Sequence, residues 1–304
     1  MRIVRSILRR MVRMLASKKV ISARQAAVWL HYERLGRFPN VDNPRDLNEK
    51  ILWLEFNSDT SLWPMLADKL RARDFVAGKG LGEIVVPLLA SYESASDIDF
   101  SKLPDSFVIK SNNGNAQAVI VHDKSKADLV KIIKQAARWL DSKFGLAGAE
   151  PHYLAIPPRI IVEKLLPPDS DGEMPIDYKF MCFNGKPVYC LVCSRRDPIS
   201  FHTLFSLYSL PDWSKLPDAI VSSQQESVEL PAPPHLNEMI RYATILAKDF
   251  PFVRIDFFDT GGKVWFGEIT LTPAAGRIDY LSRSYLELMG DLIHLPKPML
   301  NLNE

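Results

Sequence analysis

Phe252-Val-Arg-Ile-Asp-Phe-Phe258, the turn Thr260-Gly-Gly262 and Lys263-Val-Trp-Phe-Gly-Glu-Ile-Thr270 together form the stretch that decides the fold. Two apolar runs flanking a Gly-Gly pair predict an antiparallel hairpin over residues 252–258 and 263–269. Each run carries a central carboxylate, Asp256 and Glu268, and a lone carboxylate is costly to bury there. A hard divalent cation would offset both charges, and Mg2+ sites usually combine one or two carboxylates with phosphate oxygens. Arg254 lies two positions before Asp256 and therefore shares its strand face. A guanidinium in that place suits a phosphoryl group in transfer. The plainer reading is a structural salt bridge to Asp256 or Glu268.

Working outward, residues 107–110 and 118–122 are two short β-rich runs around Ser111-Asn112-Asn113-Gly114-Asn115. They predict a second hairpin with a flexible polar tip. Lys110 ends its first strand, where a cation can reach phosphates beneath a flap; taken alone, it reads as a solvated strand end, and only the Asp/Glu hairpin about 150 residues later makes it specific. Residues 159–163 form a very apolar strand, and residues 177–193 two more strands around Asn184-Gly185. Helices are expected at 22–57, broken by a Pro-Asn-rich loop at 38–44, at 62–77, at 126–144 and at 236–249. A short strand is expected at 84–89. The proline-rich residues 197–234 read as a long irregular excursion that covers a site. Beside it, Arg195 and Arg196 face either an anionic substrate or solvent.

The chain has 304 residues, 47% hydrophobic and 24% charged, enough for one large α/β domain or two to three lobes with cores of their own. With a net charge of +2 and no Lys/Arg cluster interleaved with aromatics, nucleic acid is not an expected partner. Cys182, Cys190 and Cys193 are an odd count in one apolar stretch, which indicates buried thiols in a reducing compartment. Cys190 and Cys193, three apart on a strand, point to opposite faces and cannot chelate one ion. No apolar run is long enough for a transmembrane helix, and residues 1–15 lack the uninterrupted core of a signal peptide. Those residues instead place Ile3, Val4, Ile7, Leu8, Met11, Val12 and Leu15 on one helical stripe with arginines largely opposite. Such a helix lies either on an anionic inner-leaflet surface or docked on the fold.

The order Asp68-Lys69, Phe107-Val-Ile-Lys110, Ile161-Val-Glu163-Lys-Leu-Leu166, Asp177-Tyr-Lys179, Arg254-Ile-Asp256 and Glu268-Ile-Thr270 resembles an ATP-grasp enzyme. More closely, it resembles the TupA-like branch associated with teichuronopeptide, capsule and O-antigen biosynthesis. Supporting phrases are Asn43-Pro-Arg-Asp-Leu-Asn-Glu-Lys50, Leu103-Pro-Asp-Ser-Phe-Val-Ile-Lys110, Asp249-Phe-Pro-Phe-Val-Arg-Ile-Asp256 and Phe266-Gly-Glu-Ile-Thr-Leu-Thr-Pro273. The resemblance implies an α/β (α+β) ATP-grasp fold, two lobes gripping ATP after a helical N-terminal region. Its expected division is a basic helix region at 1–30, an N-terminal segment at 31–100, a small lobe with a phosphate flap at 101–165 and a large lobe with the metal site at 166–304.

It further implies that Lys69 and Lys110 contact ATP phosphates, with Ser111 and Gly114 in the flap closing over them. Glu163, Lys164, Leu165 and Leu166 would hold adenine between the lobes, with Lys179 near the nucleotide. Asp256, Glu268 and Thr270 would bind Mg2+, and Arg254 would steady the transferred phosphoryl group. The chain departs from the pattern at Thr270, where many ATP-grasp ligases have Asn, and at Asn115-Ala116, where Ser-Gly is more usual. The implied reaction is cytoplasmic: a carboxylate attacks the γ-phosphate, and an amine opens the acylphosphate to an amide. Three rival readings are an ATP-dependent kinase, a degenerate nucleotide-binding scaffold and a glycosyltransferase. The last would use a D-x-D motif, present only as Asp169-Ser-Asp171 in a Pro-Gly-rich loop.

Overall fold

A computed structural model describes residues 2–168, 175–194, 204–226 and 229–299. Asp169, Asp171, Arg195 and Arg196 lie outside the described residues. The helices are α1 (Arg2–Ser17), α2 (Ala23–Leu35), α3 (Leu47–Asn57), α4 (Trp63–Ala67), α5 (Ala72–Val76), α6 (Leu129–Leu140), α7 (Phe144–Gly148), α8 (Leu236–Ala247) and α9 (Arg283–Asp291). The strands are β1 (Leu88–Tyr92), β2 (Phe107–Ser111), β3 (Ala118–Val121), β4 (Ile160–Lys164), β5 (Asp177–Phe183), β6 (Lys186–Ser194), β7 (Leu204–Ser209), β8 (Ser214–Lys215), β9 (Phe252–Thr260) and β10 (Lys263–Thr270).

They form two antiparallel sheets, one ordered β1-β4-β2-β3 and the other β10-β9-β5-β6-β7-β8. Each sheet has its own core. In the small lobe Phe107, Ile109, Ile160 and Val162 pack against Ile132, Ala136 and Trp139 of α6. In the large lobe Phe180, Ile255 and Phe257 pack with Met239, Ala243 and Leu246 of α8. The same core takes in Leu47, Ile51, Trp63 and Leu66 of α3 and α4. Residues 31–100 are thus distributed over both lobes, because β1 joins the small sheet while α3 and α4 pack with the large one.

Local chemistry sets the helix ends. Ser22 with Gln25, and Asp46 with Glu49, form capping boxes that start α2 and α3 on either side of the expected loop. Gly36 ends α2 at φ 75°, a left-handed position that favours glycine. Asp128 caps α6 by accepting from the Lys131 N–H, so this helix starts later than its pattern suggests.

Three elements differ from the sequence pattern. The helix expected over residues 62–77 is broken into α4 and α5, because Asp68 turns extended (ψ 109°) and Lys69 N–H donates to Asn112 O at 3.0 Å. Tertiary hydrogen bonds there override helix propensity. The strand expected at 84–89 begins only at Leu88: Gly82–Ile84 is a 3-10 turn, and Pro87, lacking an N–H, offers only its carbonyl, to Lys164. Finally, the excursion at 197–234 includes β7 and β8, which extend the large sheet outward.

Candidate functional site

The site is built on one face of the large sheet. Cross-strand register sets Lys179 of β5 opposite Asp256 of β9, Asp256 opposite Glu268 of β10, and Arg254 opposite Thr270. Side chains directly opposite one another share a sheet face, so Asp177, Lys179, Arg254, Asp256, Glu268 and Thr270 converge. A bulge decides this. Phe266 pairs with Phe257, but the next pair is Glu268 with Asp256, leaving Gly267 as the extra residue. Without it Glu268 would pair with Ile255 and face the α8 core. A Cβ on Gly267 would stand 3.0 Å from Asp256 O, which explains the glycine.

Arg254 clamps this group. Its Nε and Nη2 donate to the two oxygens of Asp256 at 2.7 Å each, and Nη2 also reaches Glu268 Oε1 at 2.7 Å and Thr270 Oγ1 at 3.0 Å. Thr270 in turn donates to Glu268 at 3.1 Å. Lys179 Nζ stands 2.5 Å from both Asp256 Oδ2 and Asp177 Oδ2. The plain salt-bridge reading of Arg254 is therefore present in the structure, within a larger alternation of cations and carboxylates.

Electrostatics follow from that alternation. Burial disfavours ionisation of Glu268, yet Lys69, Arg254 and Lys179 outweigh it and pull the carboxyl down to about 2. Burial also disfavours the charged Lys179, but Asp177 and Asp256 hold its ammonium protonated well above the ordinary range. Burial pushes Asp256 up, whereas its partners are held charged; with two cations within 2.7 Å, the ionised carboxylate is the state that fits the geometry.

Two further lysines border this array, Lys69 from the segment packed on the large-lobe core and Lys110 from the small lobe. Lys69, at the break between α4 and α5, donates from Nζ to Gly114 O at 2.5 Å and lies 3.9 Å from Glu268 Oε2. Lys110 of β2 pairs with Glu163 Oε2 at 2.7 Å, and Arg73 of α5 holds the other Glu163 oxygen at 3.2 Å. Glu163 is thus turned toward Lys110, whereas Lys164 ends β4 and Leu165 and Leu166 follow it on the connection between the lobes. In the turn at 111–117, Ser111 donates to the Gln117 side chain at 2.6 Å, and Ala116 takes φ 55°, where glycine is favoured.

Sequence reasoning gave no role to several residues that the structure brings in. Asn112 is fully buried and ties three segments: it donates to Asp68 Oδ1 at 2.9 Å and Pro157 O at 3.0 Å and accepts from Arg159 N at 2.8 Å. Asp177 anchors Lys179, a pairing signalled only by their i, i+2 spacing on a strand. Tyr280, stacked on Phe205 of β7 at 4.6 Å, is pushed up to about 12 by burial, against the pull of Arg254 and Lys179. Its carbonyl accepts from Val221, so part of the 197–234 segment packs against the edge of the site. Nothing in the pattern of residue 280 signals this.

The family model described as TupA-like ATPgrasp matches residues 49–294. The chain belongs to the TupA-like ATP-grasp family. All the candidate residues from Lys69 to Thr270 fall inside the match. No curated protein sequence matches the chain. Solved structures similar to this TupA-like chain include D-alanine–D-alanine ligase from Helicobacter pylori, at 13% identity and a TM-score of 0.46, covering 83% of this chain and 68% of that one. D-alanine–D-alanine ligase from Bacillus anthracis complexed with ATP has 16% identity and a TM-score of 0.39, covering 68% of this chain and 54% of the other. The ATP-grasp ligase PsnB, complexed with a phosphomimetic variant of its minimal precursor, Mg and ADP, has 10% identity and a TM-score of 0.41, covering 78% and 59%. The chain therefore spans about half the length of the Bacillus anthracis ligase.

Proposed function

We propose that the protein is an ATP-dependent ligase that activates a carboxylate and joins it to an amine in cell-surface polysaccharide synthesis. The observation that carries this reading is the convergence of Lys69, Lys179 and Arg254 on Asp256 and Glu268, with Lys110 on the facing lobe. Four cations on two facing lobes suit a polyphosphate. The carboxylates that now hold them would exchange those contacts for phosphate oxygens.

The donor set fits Mg2+. Asp256 and Glu268 supply two oxygen ligands side by side, and among the described residues no group of three or more His, Cys, Asp or Glu could hold a metal by itself. A magnesium ion there would be completed by phosphate and water, its usual habit. When bound, it supplies charge neutralisation at the phosphates.

The protein's own groups account for the rest. Arg254 is held by three partners at the sheet face and is positioned to stabilise charge on a transferred phosphoryl group without reorganising. The substrate carboxylate attacks the γ-phosphate and releases ADP; the amine then attacks the acyl carbon of the acylphosphate and releases phosphate. The flap at 111–117, tied to the large lobe through Lys69, excludes water from that hydrolysable intermediate. Family membership supports a polysaccharide precursor, such as a uronic acid, as the carboxylate and an amino acid as the amine. Use of ATP and the three buried free thiols support a cytoplasmic site.

Calorimetric titration with Mg-ATP, and separately with UDP-sugars, tests the reading. Mg-ATP is expected to bind, and Glu268→Ala to weaken it by at least about tenfold. Amide formation with ADP release then separates a ligase from a kinase, which leaves phosphate on the acceptor. UDP-sugar binding that Glu268→Ala leaves unchanged would sink the proposal and favour a glycosyltransferase.

A further inference from the structure

Eight of the fifteen large hydrophobic side chains exposed among the described residues fall between Val4 and Phe38. On α1 the exposed row is Val4, Ile7, Met11 and Met14, spaced by three and four residues and so forming one stripe. The opposite side of α1 is already used. Leu8 and Val12 pack with Ala26, Ala27 and Leu30 of α2, Arg9 lies 3.9 Å from Glu33, and Arg13 Nε donates to Ala147 O at 3.0 Å. The single apolar stripe read from the sequence is therefore split, with Leu8 and Val12 inward and Val4, Ile7 and Met11 outward.

The two helices run antiparallel, since Arg9 approaches Glu33 and Arg5 approaches Gly36. On α2 the side away from the buried Ala27 and His31 carries Trp29 and Tyr32. Tyr32 stacks on Phe38 at 4.5 Å, and Trp29 meets Phe38 edge-on at 5.3 Å, so three exposed rings form one platform. Two antiparallel helices packed on one core leave a common outer side, and both exposed rows lie on it.

Charge decides the occupant. Helix α1 carries Arg2, Arg5, Arg9, Arg10 and Arg13 with no acidic residue, and Lys18 and Lys19 follow it. Arg10, Lys18 and Lys19 are exposed and border the stripe. A second copy on this face would oppose like charges, whereas an anionic lipid headgroup layer complements them. Apolar residues and aromatic rings bordered by arginine and lysine match the boundary between acyl chains and headgroups. No helix among the described residues is long and apolar enough to cross a membrane, so contact would be in the surface plane.

We propose that the outer face of α1 and α2 binds an anionic lipid surface, with Val4, Ile7, Met11 and Met14 entering the interface and Arg10, Lys18 and Lys19 meeting headgroups. The test is co-sedimentation of the full chain with phosphatidylcholine vesicles, with and without phosphatidylglycerol. The protein is expected to pellet only with the anionic vesicles, and less so as salt is raised. Ile7→Glu/Met11→Glu is expected to reduce partitioning at least about tenfold, and Arg10→Ala/Lys18→Ala to reduce it severalfold. All four positions are exposed, so melting temperatures should match the wild type and separate lost binding from lost folding. Failure of the wild type to pellet at low salt, or equal pelleting of the variants, overturns the proposal. So does a wild-type dimer that Ile7→Glu/Met11→Glu dissociates while vesicle binding persists.

Discussion

Replacing Lys179 by Met tests whether the site is a coupled charge network or a set of independent surface pairs. Lys179 Nζ is 2.5 Å from Asp177 Oδ2 and 2.5 Å from Asp256 Oδ2, so those oxygens are no more than 5 Å apart (2.5 + 2.5). Removing the ammonium leaves two carboxylates facing each other in a site where Asp256 is 2% exposed. At that separation, an effective dielectric near 20 gives a repulsion of about 3 kcal/mol. Breaking a buried pair by deleting one partner costs about 3–5 kcal/mol, which agrees. For a chain of this size the variant should melt roughly 6–15 °C below the wild type near neutral pH.

The pH dependence has a definite sign. Without the ammonium, Asp256 loses a cation that opposes the upward push of burial, so its carboxyl rises further above the unfolded value and the folded variant binds more protons. Its deficit is full near neutrality and shrinks as pH falls into the carboxylate range. In the wild type, the raised Lys179 pKa makes the contribution full below the ordinary lysine range and lost only at strongly alkaline pH. Thermal melts followed by circular dichroism across this range provide the assay, and adding Asp177→Asn to Lys179→Met should restore much of the loss. A Lys179→Met melt within about 2 °C of wild type and flat with pH would refute the network.

Glu163→Gln should weaken Mg-ATP binding about tenfold, because a neutral amide no longer aims Lys110 through a charge-assisted bond at 2.7 Å; calorimetry reads this, and unchanged affinity contradicts it. Glu55, whose carboxyl burial pushes up to about 8, is protonated in the folded protein near neutrality. Its folded pKa exceeds the unfolded one, so the wild type loses stability as pH rises from mild acid through about 8. Glu55→Gln removes that loss, and its melting temperature should rise relative to wild type over the same range; parallel profiles would contradict the assignment.

Much of the fold is legible because its signals are local. The hairpins at 107–121 and 252–270 follow from apolar runs around polar or Gly-Gly turns, and α2 and α3 from a helical apolar pattern on either side of a Pro-Asn-rich loop. The candidate site is legible as a list of residues, because carboxylates and basic residues within apolar strands are costly unless they act together. What escapes the sequence is set by distant partners. The pattern over residues 62–77 is helical, yet Asn112, 44 positions beyond Asp68, captures that segment and breaks it at Lys69. The pairing of the Glu163 side chain with Lys110 and Arg73 joins residues far apart in the chain, 90 positions in the case of Arg73, which no local pattern signals. The N-terminal stripe reads as one face, and only the docking of α2 divides it.

By itself, then, the sequence determined that residues 252–270 form a hairpin with one carboxylate near the middle of each strand. Whether those carboxylates meet was decided by tertiary structure. Side chains alternate faces with a period of two, so a single extra residue in β10 exchanges its core and site faces. The Gly267 bulge is that residue, and it turns Glu268 toward Asp256. Its position is an outcome of pairing across β5, β9 and β10 and of packing on α8, which no local pattern along the chain encodes.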